Sequence, residues 1–471
     1  MNKKRLLGNI SQVMVGRIAA LLSSLATGFI LPKVLGVTDY GYLKIYTLYT
    51  VYTALLHCGF VDGVLLKYAG ESYKKLNCRE LRSCSQFFIF FQLALTGMLC
   101  IISFVISDLN YRAIIFALGI QLFLNNVTTY YQFLSQATQR FREYSVRSIL
   151  QAISKTLLVL FLLAGETIGF LEPTFSLYLI LVNSIDAALL LWYVATYREI
   201  TFGVRVPFRD CRPLFHELFR LGIPLTLAYQ AAQLVFALDR QFVSVLFNTA
   251  IYGIYSFAYS VVHMVSQIIS SASTVLLPSL KQLPKQKIEH YYPITLNIVM
   301  MIAGAALIGY FPLEKIIQWY LPDYVTSLSY LRIILPTLIY TCCISVVMFT
   351  FYKVENRSGL YLKICCIVLA VGFALNLIAY ETVGTTQSIS WASAVTVAVW
   401  FVLAGRHFEK NRLKRHSGNF VYILLLGASF YVISTLQISW LSGALLYLGA
   451  YSAITLPVFL YTLRKKRPEA L

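Results

Sequence analysis

The chain has 471 residues, of which 58% are hydrophobic and 13% charged, and its mean hydropathy is +0.69. Soluble domains carry about 25% charged residues, so a soluble globular fold is excluded and an all-α integral membrane protein is expected. The formal net charge of +19 does not point to nucleic acid, because the basic residues fall in short clusters between apolar segments rather than on one folded face.

The start, MNKKRLLGN, is basic and lacks a small-residue cleavage site after its apolar run, which reads as a retained cytoplasmic start and not a removed signal. The first span runs from about Asn9 to Leu35. Further spans are centred near Tyr52, Leu95, Leu122, Leu157, Leu181, Val235, Val262, Ile302, Ile344, Val368, Val397, Leu426 and Tyr451. That makes about fourteen, each near the ~20 residues a crossing needs. Between the first two lies a very short polar turn, Gly36 to Gly41, followed by Tyr42, Tyr46 and Tyr49 at spacings that place them on one helix face. The arrangement returns about 212 residues later, where Tyr252, Gly253, Tyr255 and Tyr259 echo Tyr40, Gly41, Tyr42 and Tyr46 after a one-residue insertion.

This repeat divides the chain into a six-helix half over 1–200, a second over 201–406, and two additional helices with a basic tail over 407–471. The basic linker from Arg198 to Arg220, with Pro207 and Pro213, joins the halves. Six helices per half make the halves parallel repeats, a geometry that in transporters places a substrate cavity between them. With a cytoplasmic N-terminus, roughly 31 of the 39 Lys and Arg lie in the N-terminus, the even-numbered joints and the tail RKKRPEAL, so both ends are expected in the cytoplasm.

The opposite joints, around Thr38, Asp108, Thr167, Asn248, Asp323, Thr385 and Gln437, are short and contain no cysteine. None could build an extracytoplasmic active site. The nine cysteines lie in spans or on the cytoplasmic side, so no disulfide framework is expected. The six scattered histidines do not match zinc spacing, and no phosphate-cradling glycine loop with its lysine is present. Neither a metal site nor nucleotide hydrolysis is expected.

Polar residues within spans are the candidate functional groups, since a charge at a helix centre costs about 2.5–3.5 kcal/mol on insertion scales. Arg17 lies in the first span with Ser24 and Gly28 on its face; Lys155 lies in the fifth, nearer a cytoplasmic end where snorkelling is easy; Asp186 lies in the sixth. The seventh carries Asp239 and Arg240, with Gln230 and Gln233 aligned on the Arg240 face. The eighth carries a stripe of Tyr255, Tyr259, His263, Ser266, Ser270 and Ser273, suited to a wetted or sugar-contacting wall. Each has a structural alternative: interhelical pairing for Arg17 and for Asp239 with Arg240, a hydrogen-bonded core histidine for His263, and close helix packing for the serines.

Three stretches carry a resemblance. Leu31, Pro32, Leu35, Gly36, Tyr40 and Gly41, then Cys58, Gly59, Lys67, Tyr68 and Ala69, resemble the opening of bacterial polysaccharide-repeat-unit flippases. These belong to the multidrug/oligosaccharidyl-lipid/polysaccharide exporter superfamily. Asp239 and Arg240 with Tyr252, Gly253, Tyr255, Ala258 and Tyr259 are similar to that family's seventh and eighth helices, as is the loop Gln139 to Tyr144 after its fourth. The resemblance implies two six-helix lobes in a V-shaped exporter fold plus two C-terminal helices. It implies alternating access that flips an undecaprenyl-diphosphate-linked oligosaccharide across the cytoplasmic membrane for surface polymers such as O-antigen or capsule, with polymerase and chain-length machinery as partners. A cationic cavity would receive the diphosphate: Arg17 matches in position an arginine of the first helix of related flippases, and Lys44, Lys155, Arg240 and Arg332 fit by chemistry. Tyr46, Gln233, Tyr255, Tyr259, His263 and Ser266 are the candidate cavity lining. Without nucleotide chemistry or any cofactor, an ion or proton gradient is expected to drive the cycle through Asp62, Asp186 or Asp239. The alternatives are a drug or cation exporter, which would want an acidic cavity, and a polysaccharide polymerase or ligase, which would want a large outer loop carrying catalytic groups.

Overall fold

The computed structural model describes residues 16, 18–270, 285–355, 357–408, 413–436 and 438–466, and among them all regular structure is helical. Arg17 and Ser273 lie outside the described residues. Among the described residues, twelve helices are long and apolar enough to cross a membrane. The chain packs as two compact units, Met1–Leu234 and Val235–Leu471, a division by packing rather than by repeat.

The first unit contains α1 (Ile18–His57), α2 (Phe60–Lys67), α3 (Cys78–Val105), α4 (Leu109–Ala137), α5 (Phe141–Ile168), α6 (Phe175–Thr196) and the beginning of α7 (Arg212–Leu246). Side chains that imitate the missing helical turn start α3, α4 and α6. Asn77 accepts from the Arg79 N–H, Asp108 from those of Asn110 and Tyr111, and Thr174 from that of Leu177. Gly169, at φ +73°, ends α5.

α1 is 40 residues long because it holds two of the expected spans. They part at Gly36, whose φ of 68° and ψ of 175° leave the helical region. The polar turn expected over Gly36 to Gly41 is therefore one residue wide, and residues 37–41 are already helical. Glycine alone takes that conformation without a Cβ penalty. Asp39, just beyond it, accepts the Phe175 N–H at 2.9 Å and ties this corner to the start of α6.

A second interruption separates α1 from α2, where Cys58 and Gly59 are both left-handed. Backbone groups freed there find buried side-chain amides. Gln92 donates to the Leu56 carbonyl, Asn126 donates to that of Thr53, and Asn126 also donates to Gln92. This satisfies polar groups that would be costly unpaired in an apolar surround. The first part of α7 then packs against α2 at backbone contact. A Cβ on Gly222 would lie 1.8 Å from the Gly59 carbonyl oxygen, and one on Gly63 2.0 Å from that of Leu218. An aromatic core surrounds this junction, with Phe60 stacked on Phe88 at 5.3 Å and Phe87 on Phe215 at 4.6 Å.

The second unit contains the end of α7, then α8 (Thr249–Ser270), α9 (Lys285–Ala306), α10 (Tyr310–Tyr320), α11 (Ser327–Ile334) and α12 (Thr337–Val354). It closes with α13 (Ser358–Val383), α14 (Thr386–Gly405), α15 (Leu413–Thr435) and α16 (Trp440–Lys466). α8 is not among the twelve most apolar helices, because hydroxyls, His263 and Gln267 dilute its hydropathy, yet its 22 residues suffice to cross. With α8 and the division of α1, the described helices account for the fourteen spans expected. Tyr310, Phe311, Phe430 and Tyr447 form this unit's aromatic core, and Tyr447 reaches the Gly304 carbonyl at 2.9 Å.

Candidate functional site: buried polar clusters in the two units

In the first unit, four helices bring polar side chains together near their midpoints. Lys155 stands in the middle of α5 and not near either end, since the helix runs from Phe141 to Ile168. It does not snorkel: its Nζ lies 2.9 Å from Asp186 Oδ1 and 3.1 Å from Oδ2 on α6. Gln151, one turn earlier on α5, donates to Oδ1 at 2.8 Å, and Gln121 of α4 donates to Oδ2 at 3.4 Å. One turn from Asp186, Asn183 accepts from the Tyr46 hydroxyl of α1 at 3.3 Å. The pair is unevenly covered, with the Asp186 side chain 6% exposed and that of Lys155 25%. A carboxylate so enclosed needs directed donors beside it, and Lys155 with the two glutamines supplies them.

In the second unit, Asp239 of α7 is 1% exposed. Tyr255 donates to its Oδ2 at 2.8 Å, and Tyr259 donates to the same oxygen. Tyr259 also meets Ser393 of α14 at 3.5 Å. The neighbouring Arg240 does not form a side-chain pair with Asp239. Its guanidinium turns back to the Phe236 carbonyl at 2.9 Å and lies over the Tyr259 ring at 5.1 Å, with Nε buried and unpartnered. The arrangement offers a carboxylate collared by hydroxyls next to a guanidinium with donor capacity to spare.

The other predicted residues are dispersed. Lys44 is half-buried beside the Tyr40 ring at 4.9 Å. Arg332 of α11 is engaged by Glu314 at 3.1 Å and Tyr310 at 2.8 Å. Asp62 accepts from Thr226 and lies 4.0 Å from His57. Gln233 donates to the half-exposed Tyr229 at 2.8 Å. The α8 stripe divides: Tyr255 and Tyr259 turn inward to Asp239, His263 is exposed, and Ser266 is half-buried within reach of the Cys342 thiol. Sequence reasoning missed Gln121, Gln151, Asn183 and Ser393. Gln151 carried a usable signal, because an amide one turn from a lysine in an apolar segment shares its face.

The architecture is that of solved transporters. The structure titled lipid II flippase MurJ in an inward closed conformation superposes with a TM-score of 0.69 at 14% identity, covering 97% of this chain and 100% of that one. An inward-facing MATE-family multidrug resistance transporter of the MOP superfamily gives 0.60 at 14%, covering 85% and 98%. A Vibrio cholerae MATE transporter gives 0.54 at 14%, covering 88% and 99%. No curated protein gives a matching sequence. The fold is the one those structures share, and its long apolar helices make the chain a multi-pass membrane protein. The family described as polysaccharide biosynthesis protein matches residues 6–284, more than half of the chain, and the chain belongs to that family.

Proposed function

We propose that the chain flips an undecaprenyl-diphosphate-linked oligosaccharide repeat unit from the inner to the outer leaflet of the bacterial cytoplasmic membrane, by alternating access, for assembly of a surface polysaccharide such as O-antigen or capsule. The observation that carries this reading is a polysaccharide-biosynthesis sequence on a transporter fold with a half-open cation, Lys155, at mid-helix. A diphosphate with its sugars cannot cross about 30 Å of hydrocarbon unaided, because stripping its water is prohibitive. Lys155, Lys44, Arg240, Arg332 and Arg17 are the cations proposed to receive the diphosphate, with Tyr46, Gln233, Tyr255, Tyr259, His263 and Ser266 contacting sugar or water. Both termini are proposed to be cytoplasmic, and polymerase and chain-length proteins are the partners proposed for the delivered unit.

An ion or proton gradient is the proposed energy source, with Asp239 the foremost of the three candidate carboxylates. Its support is the enclosed oxygen that Tyr255 and Tyr259 share. Asp62 and Asp186 are the other two. The test in cells is deletion of the gene. Cells lacking the chain should hold lipid-linked repeat units that a membrane-impermeant sugar label cannot reach, and restoring the gene should make them reachable. Repeat units that reach the outer leaflet equally well without the chain would refute the reading.

A further inference from the structure

Lys155 is held on Asp186 but is the less covered of the two. Both Asp186 oxygens lie within 3.1 Å of its Nζ, yet a quarter of the lysine side chain is exposed while the carboxylate is almost fully enclosed. Lys155 is therefore the accessible member of the pair and Asp186 the enclosed one. The carboxylate also has supports of its own. Gln151 and Gln121 donate to one oxygen each, from two different helices, so its position survives departure of the ammonium. Lysine is a compact charge on a flexible four-carbon stem, able to move between two anions. Asp186 is fixed and Lys155 is the mobile member.

We propose that Asp186 is a built-in competitor for the substrate's diphosphate. The diphosphate binds by drawing the Lys155 ammonium off Asp186, and return of Lys155 to Asp186 weakens binding and releases the headgroup. This rests on the flippase reading above and deepens it, because it names the residue that keeps affinity low enough for turnover. A transporter needs such a limit, since a substrate held tightly in every state is not delivered. The uncharged isosteric change Asp186→Asn keeps one carbonyl oxygen for Gln151 to donate to, lets Gln121 turn its unpartnered carbonyl oxygen to accept from the new amide, and removes the competing charge. Asp186 is a positioning residue here, acting through Lys155.

The test is equilibrium binding of radiolabelled undecaprenyl diphosphate to purified full-length protein in nanodiscs, for the wild type, D186N and the double variant K155Q/D186N. The double variant buries two neutral amides and no charge, which avoids the penalty of an unpaired ion. D186N should bind about tenfold more tightly than wild type, or better. That gain should vanish in K155Q/D186N, because the competition acts only through the ammonium. D186S, read in the same way, replaces D186N if the latter does not purify as a folded monodisperse protein. Wild-type binding that neither D186N nor D186S strengthens overturns the inference while leaving the flippase reading intact. So does a gain that persists without Lys155. No binding by wild type or any variant overturns both.

Discussion

Asp239 shows what a single residue demands of its surroundings in this protein. Its carboxylate is enclosed, and the groups that make it tolerable are two phenols from one face of α8 aimed at one oxygen. Hydrogen bonds to a charged group are worth about 1.5–3 kcal/mol each, so Tyr259→Phe should lower stability by about that amount, read as a fall in the thermal unfolding midpoint of purified protein. An unchanged midpoint would mean the tyrosine contributes no net bond. Asp239→Asn separates structure from energy coupling. It should fold and still bind lipid-linked substrate, but its transport in proteoliposomes should no longer respond to an imposed ion gradient. A response equal to wild type would assign coupling elsewhere. These residues were individually legible in the sequence, because charges and phenols inside apolar spans stand out against the cost of putting them there. Their partnerships were not. Asp239 and Arg240 are adjacent in sequence but their side chains do not pair with each other, meeting instead the hydroxyl and the ring of Tyr259, and Lys155 meets Asp186 only because α5 and α6 pack together, which no spacing along the chain encodes.

At the scale of elements, the joints of the first unit are made by glycines with two different duties. Gly36 supplies a positive φ and divides α1 in one residue. The sequence marked this turn but drew it too wide, because Thr38, Asp39 and Tyr40 look like loop residues when in fact they open the next helix. Gly63 and Gly222 supply absence of volume, allowing α7 to touch α2 backbone to backbone. A methyl group there meets main-chain atoms that no rotamer change can move aside. Gly63→Ala should therefore cost about 3 kcal/mol or more, visible as loss of monodisperse protein on purification. Gly70→Ala is the control for crowding, because its Cβ would meet nothing within 4 Å, although its φ of +88° adds backbone strain. Equal yields of Gly63→Ala and wild type would show that the two helices separate more readily than this packing allows. Nothing in the sequence announced these contacts, since a glycine within an apolar run looks the same whether it faces a neighbour's backbone or open space.

For the whole molecule, composition and hydropathy were enough to give the class and the number of spans, because a chain in lipid must satisfy its backbone within helices and the required length is fixed by the bilayer. The motifs at the helix joints pointed to polysaccharide export, and membership of the polysaccharide biosynthesis protein family agrees with them. The proposed substrate was not legible to the same degree, since the hydroxyls, amides and rings that would meet a sugar are scattered through the spans with no fixed pattern. The basic joints make a topological prediction at this scale. With the cysteines removed, a single cysteine introduced at Arg142, in the first turn of α5, should react with a membrane-impermeant maleimide only after cells are opened, whereas one at Thr167 should react in intact cells. The reverse pattern would invert the proposed orientation.

The central claim is transport of a lipid-linked oligosaccharide, and its most direct measurement is leaflet transfer in proteoliposomes. Purified protein would be reconstituted with a fluorescent undecaprenyl-diphosphate oligosaccharide, and the fraction reachable by a membrane-impermeant quencher followed with and without an imposed ion gradient. The account predicts transfer that requires the protein and is accelerated by the gradient, with no change to the glycan. A substrate that stays in its original leaflet under every gradient, or whose glycan is lengthened or joined to an acceptor, would contradict it.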